Sequence, residues 1–73
     1  MKKNKSIIRG EGRVLETLPN TNFRVELDSG EEIIAYLAGK MRRFRIKVLP
    51  GDRVRVEMSS HDKKRGRIVY RLK

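Results

Sequence analysis

At 73 residues, the chain has room for one small domain, and a domain of this size buries only about 60% of its unfolded surface. It has no cysteine, which excludes a disulfide framework and any Cys-based zinc site, and no apolar run approaches the ~20 residues of a membrane span. Nineteen Lys and Arg against nine Asp and Glu leave a formal net charge of +10, an excess that opposes compactness and favours a polyanionic partner.

Residues 1–6, Met1-Lys2-Lys3-Asn4-Lys5-Ser6, read as a flexible basic tail ahead of one domain over 7–73. Only Ile7-Ile8 follows this basic stretch, too little for a signal-peptide core. The expectation is a soluble intracellular protein. Ile8 to Leu18 suits a strand, with Gly10 and Gly12 near its start where a small barrel must curl. Pro19-Asn20-Thr21-Asn22 is a turn, because proline presets φ and asparagine tolerates left-handed geometry. Phe23, Val25 and Leu27 alternate with Arg24 and Glu26, so the second strand has one apolar and one charged face. After the turn Asp28-Ser29-Gly30, Ile33, Ala35 and Leu37 alternate with Ile34, Tyr36 and Ala38. The second face of this third strand is less polar than its neighbour's, so its two sides are harder to assign.

The densest charge comes next. Five of the eight residues from Lys40 to Lys47 are basic. They lie on a connection, where side chains face solvent and meet partners. Gly39 to Phe44 reads as a short helical or irregular connection, with Met41 and Phe44 at i, i+3 turned inward. Ile46 and Val48 return the chain, and Pro50-Gly51 signals a type II turn. Val54, Val56 and Met58 then alternate with Arg53, Arg55 and Glu57. Ser59 to Arg65 reads as a polar, basic loop. Gly66 to Arg71 is the last strand, with Ile68 and Tyr70 on one side and Arg67 and Arg71 on the other.

The pattern is all-β. Five strands with a longer basic connection between the third and fourth fit a partly open Greek-key barrel, the OB-fold. An SH3-like barrel also has five strands, but such an excursion is less expected there. Closure of either kind removes sheet edges.

Catalysis finds little support: Asp28, Glu31 and Glu32 cluster at a hairpin tip, where carboxylates are usually just solvated. His61 stands alone in a Ser-Asp-Lys context, and no glycine-rich phosphate loop or nucleophile motif occurs. The reading is a binding module with no enzyme activity, no metal and no cofactor. A membrane surface is the competing polyanion, but it calls for an amphipathic helix with a bulky apolar face, and no long helical period is present.

RNA fits better. On an OB-fold, ligands lie across the second and third strands and the loops beside them. Arg24 projects from the outer face of strand two, either toward RNA or toward a cross-strand carboxylate. Tyr36 on strand three either stacks on a base or forms barrel wall with its hydroxyl in water. Lys63, Lys64, Arg65 and Arg67 form a second basic cluster at the last hairpin. Aromatics make up only 5% of the chain, and no RRM-type motif occurs, so contact with folded RNA through its backbone and shape is favoured over consecutive base stacking.

Four segments carry a resemblance: Gly12 through Leu27, Ala38 through Arg43, Pro50 through Val54, and Gly66 through Arg71. Together they resemble bacterial-type translation initiation factor one, in order, over about residues 8–72. The resemblance implies an OB-fold of the S-one type, acting as a monomer when free. It implies binding to small-subunit rRNA at the decoding centre, occlusion of the aminoacyl-tRNA site, and cooperation with initiation factors two and three in the cytoplasm. The family's contact positions correspond to Lys40, Arg42, Arg43 and Arg45, and to Arg65, Arg67 and Arg71. Tyr36 stands where the family often has a binding-face histidine. With Arg24 and Lys64, read from their strand and cluster positions, these are the candidate RNA-binding residues. The chain departs from the family pattern at His61, where tyrosine is usual, and in its basic leader, which also suits a plastid or an unusual bacterium. Two other classes remain open: a permanent ribosomal protein, which high salt would not wash off, and a cold-shock-type RNA chaperone, which would bind unstructured strands.

Overall fold

The structure is a computed structural model that describes residues 7–72; the expected tail at 1–6 lies outside the described residues. The elements run β1 (Ile7–Leu18), β2 (Asn22–Leu27), β3 (Glu32–Leu37), α1 (Gly39–Arg43), β4 (Arg53–Ser59) and β5 (Asp62–Arg71). The strands close into a barrel in the order β1-β2-β3-β5-β4. β3 and β5 pair in parallel, and every other pair is antiparallel. This is the OB-fold expected from the strand count and the long third connection.

β1 is the hinge of the closure. Its first half, Ile7 to Arg13, pairs with β4, and its second half, Gly12 to Leu18, pairs with β2. The two ladders overlap at Gly12 and Arg13, and a Cβ on Gly12 would lie 2.3 Å from the Glu26 carbonyl oxygen. Only glycine lets the two backbones approach this closely. A bulge at Leu15, between Val14 and Glu16, adds further twist and leaves Leu15 outside.

The alternation read from sequence sorts the faces of β2 and β4 correctly, and the structure assigns those of β3, which the sequence left open. Phe23, Val25 and Leu27, Ile33, Ala35 and Leu37, and Val54, Val56 and Met58 all face inward, with Val14 and Ile68 completing the strand contribution. Met41 and Val48 bring the β3–β4 connection into the same core. No buried polar side chain occurs among the described residues, so the interior is held by apolar packing.

Three expectations need correction. Ser59 to Arg65 is not a loop: β5 begins at Asp62, and only Ser60 and His61 connect it to β4. The run Asp62 to Arg65 is exposed throughout, so it offers no apolar alternation for a period-two reading to detect. Tyr70 does not share a side with Ile68. A register shift pairs Val56 with Ile68 but Arg55 with Tyr70, which inserts Val69 and turns Tyr70 outward, 55% exposed. Phe44 does not reach inward with Met41. The helix ends at Arg43, Phe44 is its C-cap, and its side chain is 69% exposed.

Candidate nucleic-acid interface

α1 exists because of how it ends. The Ile46 amide donates to the Met41 carbonyl at 3.0 Å, and the Arg45 amide donates to the Arg42 carbonyl at 3.1 Å. This is a Schellman closure, with Arg45 in the left-handed position at φ 56°. Glycine is the easy residue there, and a side chain in that conformation costs about 1–2 kcal/mol. The closure holds Met41 in the core and leaves Lys40, Arg42, Arg43 and Arg45 exposed. The three basic residues of the helix also lie in its last turn, where the backbone carbonyls favour positive charge.

The connection is tied to β5 at both ends. The Ala38 amide donates to the Ile68 carbonyl at 2.9 Å. Arg71 Nη1 donates to the Lys47 carbonyl at 3.1 Å. So the two basic clusters seen in sequence, one on the connection and one on β5, are neighbours in space.

Strand pairing completes the face. The parallel β3–β5 ladder sets Tyr36 opposite Arg67 and Ile34 opposite Arg65. Tyr36 is 45% exposed. Three shallow hollows run into one another by sharing residues. Tyr36, Arg65 and Arg67 line the first, of about 320 Å³. Arg67 continues into the second, of about 680 Å³, with Lys40, Arg55 and Tyr70. Lys40 and Tyr70 continue into the third, of about 420 Å³, with Phe44 and Arg71. The result is a continuous concave strip of cations and exposed rings.

The ion pairs decide which cations remain available. Every carboxylate pair among the described residues goes to an arginine of the barrel wall. Glu11 meets Arg53 and Arg55, Asp28 meets Arg53, and Glu57 meets Arg9 and Arg67. Glu16 pairs with Arg24, and Glu32 approaches Arg24 at 3.7 Å. Lys40, Arg42, Arg43, Arg45, Lys64, Arg65 and Arg71 make no such pair among the described residues. Arg24 therefore takes the cross-strand alternative, and it sits with Lys64 beside Ile34 rather than on the strip. Arg42, Arg43 and Arg45 line none of the hollows and point to solvent from the connection.

The sequence reading missed Arg55, Tyr70, Arg9 and Phe44. Arg55 lies 5.8 Å from the centre of the Tyr70 ring, a cation–π contact. Nothing in the local pattern signals it, because the register shift that turns Tyr70 outward is a property of the β4–β5 pair. His61 sits in the tight turn, where its amide donates to Ser59 Oγ at 3.1 Å. No cluster of three potential metal ligands occurs among the described residues. No helix there is long and apolar enough to cross a membrane.

Two carboxyls are held below the usual range. Arg53 donates to both oxygens of Asp28 at 2.8 and 2.9 Å, and this hydrogen bonding is the main cause there. For Glu57 the causes are hydrogen bonds from Arg67 and then from Arg9. Depressed carboxyls contribute stability above their unfolded values, about 4, and lose it as pH falls through their lower folded values. The thermal midpoint should therefore stay level from neutral pH to about 5 and decline below about 4. Melts across that range check this; a midpoint that holds to pH 2 would show that the pairs contribute nothing.

Residues 3–73 match the family described as Translation initiation factor 1A / IF-1. Among solved structures, the chain is similar to translation initiation factor one from the Wolbachia endosymbiont strain TRS of Brugia malayi. The two are 49% identical with a TM-score of 0.77, over 99% of this chain and 85% of that one. It is also similar to part of YjeQ from Thermotoga maritima, 32% identical with a TM-score of 0.72, over 90% of this chain but 23% of that one. The match to the family over nearly the whole length, on an OB barrel with a basic third connection, shows that the chain belongs to the translation initiation factor 1A / IF-1 family.

Proposed function

We propose that the chain docks on small-subunit rRNA at the aminoacyl-tRNA site, occludes it during initiation, and works there with initiation factors two and three. Family membership implies a translation initiation factor that binds the small ribosomal subunit, and such a factor acts by binding rather than by catalysis. The cytoplasm is the compartment this reading carries; neither the family match nor the similar solved structures support the plastid stroma. The contact residues proposed are Tyr36, Lys40, Arg42, Arg43, Arg45, Lys64, Arg65, Arg67 and Arg71. Arg24 contributes at the edge, once RNA competes for its carboxylates.

The observation that carries the reading is the parallel pairing of β3 with β5. It sets Tyr36 opposite Arg67 on the strip that also holds Lys40. A ring flanked by guanidiniums suits stacking on an unpaired base and contact with the adjoining phosphates. Phosphate contacts then provide register and most of the affinity.

Pelleting with isolated small subunits, with and without a ligand in the aminoacyl site, tests the location. Competition by that ligand is expected, and undiminished pelleting would overturn the proposed site. Tyr36→Ala should weaken subunit binding by about 1–3 kcal/mol, the range for one base on an aromatic platform. Its melt should move less, since the ring is half in solvent. A lowered melt with unchanged affinity per folded molecule would make Tyr36 a wall residue only.

A further inference from the structure

Glu57 has an unusual place on the basic face. Cross-strand neighbours form a belt around the barrel: Arg9 pairs with Glu57, Glu57 with Arg67, Arg67 with Tyr36, and Tyr36 with Asn22. Within the 680 Å³ hollow, Glu57 is the single carboxylate facing Arg9, Lys40, Arg55 and Arg67. Its side chain is 20% exposed, the least of any carboxylate in the ion pairs. Its two oxygens are used separately. Arg9 Nε donates to one at 3.2 Å, and Arg67 Nη2 donates to the other at 3.0 Å.

A carboxylate in a polyanion-binding groove repels the ligand. Its presence needs a compensating role, and the hydrogen bonds indicate one. Each arginine spends part of its fork on Glu57 and keeps the remaining N–H groups free for a ligand. Two cations that would otherwise repel are held at a set separation. A flexible strand gains little from that arrangement and is repelled by the charge. A folded RNA, whose phosphates are themselves at fixed positions, gains from the preorganised pair.

We infer that Glu57 is the specificity-determining residue of this face: by clamping Arg9 and Arg67 it favours folded RNA over unstructured polyanions. The inference rests on the proposed function, since it takes the Tyr36–Arg67 face as the RNA contact.

The test measures affinity for purified small subunits and for poly(U), over a salt series, for wild type, Glu57→Gln, Glu57→Asp and Arg67→Gln, each normalised to folded protein. Glu57→Gln should bind poly(U) about three- to tenfold more tightly, with a steeper salt slope, because the repelling carboxylate charge is gone from the groove. The same variant should bind small subunits less tightly, by about tenfold, because the pair is no longer held. Glu57→Asp keeps the charge but shortens the arm by one methylene. It should lose subunit affinity while its poly(U) affinity stays at the wild-type level, and it carries the test if the Gln variant does not fold. Parallel gains on both ligands in Glu57→Gln would reduce the carboxylate to a simple charge brake and overturn the inference. So would unchanged affinities. Arg67→Gln separates the two readings. If it weakens subunit binding while Glu57→Gln leaves the selectivity intact, only the inference fails. If it leaves subunit binding unchanged, the face itself is misassigned and the inference falls with it.

Discussion

Replacing Arg42 and Arg43 together with glutamine should weaken small-subunit binding and flatten its salt dependence by about two units of slope, roughly one per lost phosphate contact. Adjacent residues on a short helix cannot both turn inward, and here Met41 is the residue of α1 that does. Both arginines are exposed, and neither joins an ion pair among the described residues. Their charge is therefore solvated before binding, and each phosphate they meet releases condensed counterions. The fold should tolerate the change. Loss of two cations from the helix's last turn costs about 0.6–2 kcal/mol in all at low salt and less at physiological salt, and relief of repulsion in a +10 chain offsets part of it. The measurement is affinity across a salt series beside a melt of each protein. Equal affinities with parallel slopes would leave the connection a solvated loop, and a lost fold would make the arginines structural.

Val25→Asp should unfold the protein. Val25 is fully buried in the middle of β2, between Val14 of β1 and Ile33 of β3. Among the described residues no buried polar side chain lies in the core to partner a carboxylate there. An unpaired charge in such a place costs several kcal/mol, or forces protonation at a similar cost. A domain of this length holds only about 4–11 kcal/mol of stability in total. The barrel has no disulfide to fall back on. Val56→Asp, on β4, should do the same. Circular dichroism and a thermal melt decide the matter. A cooperative transition near the wild-type midpoint would mean that the inward face has been taken for the outward one.

Much of this molecule is legible in its sequence. Strict alternation of apolar with charged residues in Phe23–Leu27 and in Val54–Met58 assigns inner and outer faces directly. A strand's side chains have period two, and water sorts them by polarity. Ile33–Leu37 is less decisive, because Ile34 stands on its outer face, 41% exposed. Asn20, Gly30 and Gly51 mark turns because the backbone there needs positive φ, and all three have it. The basic connection is legible for the same kind of reason: a run of charge cannot be buried, so it must face solvent.

What the sequence could not determine is what lies beside what. Asp62–Arg65 is a strand by virtue of its backbone partners, while its side chains are polar throughout and carry no period. Phe44 looks like a partner for Met41 at i, i+3, but the left-handed turn at Arg45 ends the helix before that spacing applies. Tyr70 faces out because of one extra residue in the β4–β5 register, a relation between two strands that neither strand encodes alone. The same holds for the candidate site. Charge and aromatic content identify Tyr36, Lys40, Arg65 and Arg67 one by one. Only barrel closure, with β3 parallel to β5 and α1 tied to Ile68, brings them onto one strip and leaves Arg24 outside it among carboxylates. Side-chain chemistry and local periodicity belong to the chain and can be read from it. Register, closure and the choice of ion-pair partners are set by the competition among strands for one another's backbones, and that is decided only when the whole barrel forms.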